Sequence, residues 1–297
     1  MPVSHAPDND LDDAVEAFQR VRRQLFGIAY RMLASVSEAE DIVQEAWVRW
    51  QSTDRSVVRN PAAFLVTATT RLAITAATTA RARREVYVGP WLPEPVVTTN
   101  DPALGAESAE SLGVAVLLML ERLTPTERAV YVLREAFEYP FAQIAEMLDT
   151  SESNARQIGR RARLHMAEER HEPVSDTDHD RLLDALLAAM RLGDLEALEA
   201  VLSEDVVAIS DGGGVVSASR KPVIGRDHVG RFLAGVLKKA RAGFEISVVS
   251  ANGRSSALIS YDNEPSVVIS IDGSSNGIEG LYAVVNPHKL RGFSAAR

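Results

Sequence analysis

The residues best suited to chemistry form a basic and polar run between Asn154 and Leu164, which holds four arginines and no acidic residue. Arginine can hydrogen-bond to phosphate oxygens and to guanine edges, so the chemistry that this run offers is contact with DNA. At helical spacing its polar and basic residues share one face and its small apolar residues share another. The candidate DNA contacts are Ser153, Asn154, Arg156, Gln157, Arg160, Arg161 and Arg163. A solvated basic helix within a helical bundle is the alternative interpretation.

A short apolar helix stands in front of this run. Phe141, Ile144, Ala145 and Leu148 recur at the spacing of one buried helical stripe. Ser151 is then suited to be the N-cap of the second helix, because its hydroxyl can accept a hydrogen bond from a first-turn amide. Two short helices, a tight turn and a polar face on the second helix together predict a helix-turn-helix motif whose second helix reads DNA.

A second candidate surface lies near residue 45. The outward positions of a predicted helix are Asp41, Gln44, Glu45 and Val48, at i, i+3, i+4 and i+7. The opposite stripe, predicted to face the core, is Val43, Ala46, Trp47 and Trp50. The motif Ser37-Glu38-Ala39-Glu40 predicts a capping box at the start of this helix. An outward face that is acidic at one end and apolar at the other suits a protein partner, although periodicity alone favours an ordinary solvated face.

A third candidate surface follows the polar loop 51–60. Pro61 is placed to begin a helix over 62–79 that contains Arg71 and ends in the basic cluster Arg81, Arg83 and Arg84. A basic helix end beside a polar loop suits phosphate contacts. Cations also favour the C-terminal end of any helix, so a solubilising helix terminus is the alternative.

Composition narrows the class of protein. The 297-residue chain has a net charge of −9, so any DNA contact must come from local basic clusters rather than from bulk charge. It has no cysteine, which excludes disulfides and thiolate metal sites, and its six histidines are scattered without ligand spacing. No apolar run is long enough to span a bilayer, and the acidic N-terminus does not resemble a signal peptide. We expect a soluble cytoplasmic protein without a metal or cofactor.

The chain divides into four predicted segments. Residues 11–87 and 113–172 are expected to be all-α domains, and Thr124-Pro125-Thr126-Glu127 predicts a capped helix start in the second of them. The proline-rich segment 88–112 is expected to be an extended linker. Trp91 within this linker indicates that the linker docks on another part of the chain, because a large exposed aromatic side chain would be costly.

Residues 179–297 are expected to form an α+β domain. Helices are predicted over 179–192, 194–202 and 227–239, and strands over 206–209, 244–250, 257–261, 266–271 and 280–285. The sequence Asp211-Gly212-Gly213-Gly214 lacks the spacing and the Lys-Ser/Thr ending of a phosphate-binding loop, so it predicts a tight turn. Asp211, His228 and Asp262 are acid–base candidates by residue type only, and a catalytic role is disfavoured.

The tract Ala39–Trp47, the tract Asn60–Leu65 and the helix-turn-helix motif resemble the extracytoplasmic-function RNA polymerase sigma factors. The resemblance implies that core RNA polymerase, through its clamp and flap regions, and promoter DNA are the partners. It implies that Asp41, Gln44, Glu45 and Val48 dock the polymerase clamp. The loop after Gln51, including Asn60, and the helix that bears Arg71 would handle the melted minus-ten element. The helix after Ser151 would read the minus-thirty-five element.

Three short motifs resemble the sigma-J-like subfamily, in which a SnoaL-like cone is fused behind the helix-turn-helix domain. They are Trp91-Leu92-Pro93-Glu94-Pro95, Asp211-Gly212-Gly213-Gly214 and Asn286-Pro287-His288-Lys289-Leu290. The resemblance implies a curved antiparallel sheet wrapped on helices, with a regulatory role, an unidentified small ligand and no need for a separate anti-sigma protein. The residues implied in the contact between linker and cone are Trp91, Leu92, Pro93, Asp211, Gly212, Gly213, Asn286, Pro287 and Lys289.

Two other functions are compatible with these patterns. One is a ligand-responsive helix-turn-helix regulator, and the other is a SnoaL-like enzyme domain fused to a DNA-binding module. Neither gives Asp41, Gln44 and Glu45 a role, whereas a sigma factor needs a polymerase-binding face. Dependence on core RNA polymerase therefore separates the hypotheses.

Overall fold

The computed structural model describes residues 8–98, 113–167, 174–239 and 243–294, with side chains from residue 11 onward. Parts of the predicted linker (99–112), of the second helical domain (168–172) and of the C-terminal domain (295–297) lie outside the described residues. The chain groups into two compact units, Met1–Ala82 with Leu120–Glu168, and Arg83–Met119 with Glu169–Arg297. Among the described helices, none is both long and apolar enough to cross a membrane.

The first unit is helical. Its helices are α1 (Asp8–Leu33), α2 (Val36–Ser52), most of α3 (Pro61–Glu85), the end of α4 (Val114–Arg122), α5 (Pro125–Tyr131), α6 (Phe141–Leu148) and α7 (Glu152–Ala167). A 3-10 turn spans Arg55–Val57, and a π turn (Val132–Ala136) extends α5. The predicted capping box of α5 is confirmed, because Thr124 accepts from the Glu127 amide and Glu127 accepts in return from the Thr124 amide.

The start of α2 differs from the sequence-based expectation. The cap is Ser35 rather than Ser37, and the Ser35 hydroxyl accepts from the Glu38 amide at 3.4 Å. Ser35 has the extended backbone that an N-cap requires, whereas Ser37 already lies inside the helix. The opposite side of α2 forms part of the core, where the Trp50 indole donates to the Ala14 carbonyl at 3.0 Å.

The helix-turn-helix motif is formed by α6 and α7. Asp149 ends α6 in the left-handed conformation, with φ of 53°. Ser151 caps α7 as expected, since its hydroxyl accepts from the Asn154 amide at 3.2 Å. Gly159 permits close packing of the two helices, because a Cβ at this position would lie 2.8 Å from the Phe141 ring.

The second unit contains a six-stranded sheet and three longer helices. The helices are α8 (Asp176–Leu192), α9 (Leu195–Ala200) and α10 (Arg226–Lys239). The strands are β1 (Leu202–Asp211), β2 (Val223–Ile224), β3 (Phe244–Ala251), β4 (Arg254–Tyr261), β5 (Glu264–Ser274) and β6 (Gly277–Val284), in the spatial order β2-β1-β6-β5-β4-β3. A 3-10 turn (Pro287–Lys289) and the short α11 (Arg291–Ser294) follow.

The sheet matches the expected cone in its antiparallel run from β3 to β6. Two features were not predicted: β1 pairs with β6 in parallel, and the two-residue strand β2 extends the sheet beyond β1. Aliphatic side chains of α8, α9, α10 and one sheet face form the larger core, which includes Leu186, Leu198 and Leu281. A smaller core on the other face includes Leu92, Val268 and Phe293.

Candidate nucleic-acid and protein interfaces

The outward face of α2 is exposed as the sequence predicted. Asp41, Gln44 and Glu45 are exposed, and Val48 retains 50% of its accessible surface. Glu45 forms a partly exposed ion pair with Arg49, at 3.0 Å, which leaves its carboxylate accessible. This face therefore presents acidic groups beside an apolar side chain. It is suited to a partner that carries both a basic group and an apolar contact.

All seven predicted DNA contacts on α7 are exposed. Three of the arginines pair with acids: Arg156 with Glu152, Arg161 with Glu127 at 3.5 Å, and Arg163 with Glu135 at 3.0 Å. Asn154 donates to the Thr150 hydroxyl at 2.9 Å, and the hydroxyls of Ser151 and Ser153 lie 3.0 Å apart.

Arg160 and Gln157 differ from these neighbours. Their side chains are exposed and make no hydrogen bond or ion pair with any residue that the structure describes. Burial would raise the pKa of Glu127, but hydrogen bonds from Thr124 and the charge of Arg161 lower it overall. The other three arginines of α7 each form an ion pair with a glutamate. Arg160 can therefore bind an incoming phosphate or base edge without first breaking an ion pair with a described residue.

The predicted contacts on α3 have different surroundings. Asn60 is the N-cap, and its Oδ1 accepts from the Ala63 amide at 3.1 Å, while Arg81 and Arg83 are exposed. The Arg71 Nε donates to the Met147 carbonyl in the last turn of α6 at 2.7 Å. Arg84 stacks over the Trp91 ring, with 3.7 Å from Cζ to the ring centroid. Arg71 and Arg84, both predicted to bind DNA, are therefore engaged in contacts within the protein.

Further contacts join α1 to the helix-turn-helix domain. Arg128 donates to the Met32 carbonyl at 2.5 Å and to Glu121 at 2.6 Å. Its burial, followed by the charge of Arg81, lowers the pKa of Arg128 to about 10. Gln24 donates to the Tyr139 hydroxyl at 3.1 Å. Sequence analysis missed Arg128, because no local pattern shows that a basic residue in a capped helix will be buried against a distant carbonyl.

In the second unit a fully buried carboxylate, Asp211, holds the linker on the cone. It accepts from the Tyr87 hydroxyl at 2.7 Å, the Leu92 amide at 2.9 Å and the Gly213 amide at 3.0 Å. Lys289 forms an ion pair with it at 2.7 Å and also donates to the Leu92 carbonyl. Burial lowers the pKa of Lys289, although the negative charge of Asp211 opposes the shift. Burial, with the hydrogen bond to Asp211, raises the pKa of Tyr87.

The three short motifs of the sequence meet at this carboxylate. Gly213 has a φ of 60°, and a Cβ there would lie 2.2 Å from the Asn286 amide nitrogen, so glycine is required. Asn286 donates to the Tyr87 hydroxyl at 3.0 Å and caps the following 3-10 turn by accepting from the His288 amide. Gly212 and Pro93 are buried, whereas Pro287 is exposed.

The anchoring side chain of the linker is not the one expected. Leu92 is fully buried in the smaller core, while Trp91 is only half-buried. The Trp91 ring contacts two cations, since Arg84 Cζ lies 3.7 Å and Lys289 Nζ lies 4.4 Å from the ring centroid. Cation–π attraction is strengthened when the cation is desolvated, as Lys289 is here. Trp91 therefore covers the buried ion pair instead of filling the core.

Beyond Leu92 the linker follows the edge of the sheet. The Val96 backbone amide donates to the side-chain Oδ1 of Asn252 at 3.0 Å, and the Asn252 backbone amide donates to the Val96 carbonyl at 2.8 Å. Val97 pairs with Ala251, and the Thr98 amide donates to the Ser250 carbonyl at 3.0 Å. Asn252 precedes Gly253, a sequence that predicts a hairpin turn but not a docking site for a linker.

The three acid–base candidates do not converge on a site. Asp211 is occupied by the linker, His228 is exposed with its Nδ1 3.0 Å from the Ile224 carbonyl oxygen, and Asp262 is exposed in the turn between β4 and β5. Within the described ranges, no group of three His, Asp or Glu side chains has the arrangement of a metal site.

Two protein-family models match the helical part of the chain. The family model described as Sigma-70 region 2 matches residues 17–83, and that described as Sigma-70, region 4 matches residues 113–166. The chain is similar to the ECF RNA polymerase sigma factor SigJ of Mycobacterium tuberculosis, with 40% identity over 234 residues that cover 77% of this chain and 75% of that protein. It is also similar to the probable ECF RNA polymerase sigma factor SigI of that organism, with 34% identity over 224 residues, 74% of this chain and 75% of that one.

The crystal structure of M. tuberculosis extracytoplasmic function sigma factor SigJ has the same fold, with a TM-score of 0.74 and 34% sequence identity. The superposition covers 94% of this chain and 98% of that chain.

Proposed function

The chain belongs to the extracytoplasmic-function RNA polymerase sigma factors, and we propose which of its surfaces carries each part of that function. Proteins of this family bind core RNA polymerase and promoter DNA to start transcription, and they are not enzymes. The outward face of α2 would bind polymerase, and α7 would recognise the minus-thirty-five element. The region around α3 would contact the minus-ten element, and the docked linker and cone would control the sigma domains.

The exposed polar residues of α2 support a role in polymerase binding. Asp41, Gln44 and Glu45 lie on the exposed side of α2, opposite its buried stripe, and the ion pair of Glu45 with Arg49 is itself partly exposed. Exposed acids that serve no core contact are suited to a basic surface on a partner.

We expect Asp41→Ala combined with Glu45→Ala to weaken binding to core RNA polymerase by about tenfold or more, because charge pairs at an interface each contribute on the order of 1 kcal/mol or more. Fluorescence titration of labelled sigma factor with core enzyme measures this loss. The matched control is Glu16→Ala with Asp184→Ala, two exposed acids outside this face. An unchanged affinity in the α2 variant, with its melting temperature retained, rules out this surface.

We also propose that the contacts between α1 or α3 and the helix-turn-helix domain define a closed resting arrangement. Arg71, the residue that the family resemblance assigns to the minus-ten element, is here occupied by the Met147 carbonyl. The buried bond from Arg128 to the Met32 carbonyl supports the same closure. Engagement of both promoter elements would require these contacts to open, and binding to core polymerase would favour the open form.

The absence of cysteine from the natural chain makes this opening measurable. We expect dyes attached at Thr78→Cys and Gln143→Cys, which are exposed positions on α3 and α6, to separate when core RNA polymerase is added. Dyes at Gln51→Cys and Thr78→Cys, both in the first helical domain, serve as the control and should keep their distance. If holoenzyme formation leaves energy transfer unchanged in both dye pairs, the closed resting state is contradicted.

The contacts of the buried Asp211 carboxylate with Lys289, Tyr87 and Leu92 support a regulatory role for the cone. A linker that is fastened to the cone through a buried ion pair, a buried leucine and edge-strand hydrogen bonds has a restricted range of positions. The cone can then control the sigma domains without a separate anti-sigma protein.

A further inference from the structure

The loop between β1 and β2 carries positive charge that none of the functions above uses. Between Asp211 and Asp227 the chain has three basic residues and no acidic residue, although the protein as a whole has a net charge of −9. Arg226 is used structurally, because its Nε donates to the Leu202 carbonyl at 2.9 Å. Arg220 and Lys221 are exposed, and their charged groups form no hydrogen bond or ion pair with a residue that the structure describes.

Hydrogen bonds form within this loop. The amides of Val215 and Val216 donate to the Gly212 carbonyl at 3.0 and 3.1 Å, and the Ser219 hydroxyl donates to the Lys221 carbonyl at 2.6 Å. The two cations therefore project from a loop whose backbone is constrained by hydrogen bonds within it. Ordering before binding lowers the entropy that binding must overcome.

The loop lies beside the start of the linker. A Cβ on Gly214 would be 3.1 Å from the Val88 side chain, and one on Gly89 would be 4.0 Å from the Arg220 Cα. Arg83, an exposed residue of the last turn of α3, precedes Gly89 by six positions in the same compact unit. Six residues span at most about 20 Å, which corresponds to roughly six base pairs of DNA at 3.4 Å each.

We propose that Arg220 and Lys221 form a phosphate-binding surface by which the cone itself contacts promoter DNA next to the site of Arg83. This inference rests on the proposed function, because it requires that the α3 end faces DNA. The charges are neither arranged around a base-reading helix nor joined by an aromatic stacking platform. The contact would therefore be to the DNA backbone and independent of sequence.

The salt dependence of promoter binding tests the proposal. Each phosphate contact contributes about 0.9 to the slope of log K against log salt, so Arg220→Gln with Lys221→Gln should reduce the slope of the holoenzyme by about 1.8. Between 50 and 200 mM salt the wild-type holoenzyme should then lose about 12-fold more affinity than the variant does. The matched control is Lys238→Gln with Lys239→Gln at the end of α10, which removes the same charge from an exposed part of the same domain.

The outcomes separate this contact from its alternatives. A reduced slope in the loop variant and a wild-type slope in the control support the proposal. Equal reductions in both variants reveal only a general effect of charge and overturn it. An unchanged slope together with weaker binding to core enzyme assigns the loop to polymerase instead, and also overturns it. Arg156→Ala is measured in the same assay as a test of the proposed function. If Arg156→Ala loses promoter binding while the loop variant keeps the wild-type slope, the loop does not contact DNA but the proposed function still holds.

Discussion

Replacing Arg156 and Arg160 together by alanine should nearly abolish promoter-directed transcription without unfolding the protein. Both side chains project from the exposed face of α7, where the Arg160 side chain makes no hydrogen bond or ion pair with a described residue. A lost base contact costs about 1–3 kcal/mol, so two losses should lower promoter affinity by about 30-fold or more. Among the described residues, the substitutions remove the exposed ion pair between Arg156 and Glu152 and the contact of Arg156 with the Phe141 ring. Exposed ion pairs add little to stability.

Run-off transcription from a promoter fragment with purified core enzyme measures this effect, and a thermal melt checks the fold. Arg181→Ala is the matched control, since Arg181 also forms an exposed ion pair one helical turn away, with Asp178 on α8. If the loss is confined to the promoter's own minus-thirty-five sequence, the arginines contact base edges, whereas an equal loss on all sequences indicates phosphate contacts. Full transcription by the double variant would remove α7 from DNA recognition.

Local patterns predicted the surfaces that face outward. The spacing of Asp41, Gln44, Glu45 and Val48 placed them on one face of a helix, and all four are exposed. The same reasoning placed the polar residues of α7 opposite its buried stripe, with Ser151 as its cap. Helical periodicity is a property of neighbouring residues, so a sequence is enough to recognise it.

Contacts between distant parts of the chain could not be predicted in this way. Nothing near Arg71 indicates that its guanidinium will reach the Met147 carbonyl, 76 positions away. The parallel pairing of β1 with β6 joins the first and last long strands of the sheet, and the pattern within each strand does not name its neighbour. In the linker, the aromatic and proline content predicted docking. The side chain that is fully buried is Leu92 rather than Trp91, and this choice depends on the surface against which the linker packs.

Asp211→Ala should release the linker from the cone and change transcription by the holoenzyme. The substitution leaves the mostly buried ammonium group of Lys289 without its carboxylate and removes the acceptor of the Tyr87 hydroxyl and the Leu92 amide. Loss of one partner of a buried ion pair costs about 3–5 kcal/mol, which is enough to free the start of the linker around Tyr87, although the hydrogen bonds from Val96 to Thr98 remain. Trp91→Ala should have a smaller effect in the same direction, since it removes only the cover over Lys289 and Arg84.

Tryptic cleavage after Arg84 reports the release directly, because this residue is now stacked on Trp91 and half-buried. Asp205→Ala, an exposed acid on the same strand β1, should be cleaved like the wild type. Adding Lys289→Met to Asp211→Ala should restore part of the protection, since the uncompensated charge is then gone. If the Asp211 variant is cleaved faster while its run-off transcription equals that of the wild type, the docked linker is structural and the cone does not control the sigma domains through it. Rapid cleavage together with altered transcription, partly corrected by Lys289→Met, ties the control to this one buried carboxylate.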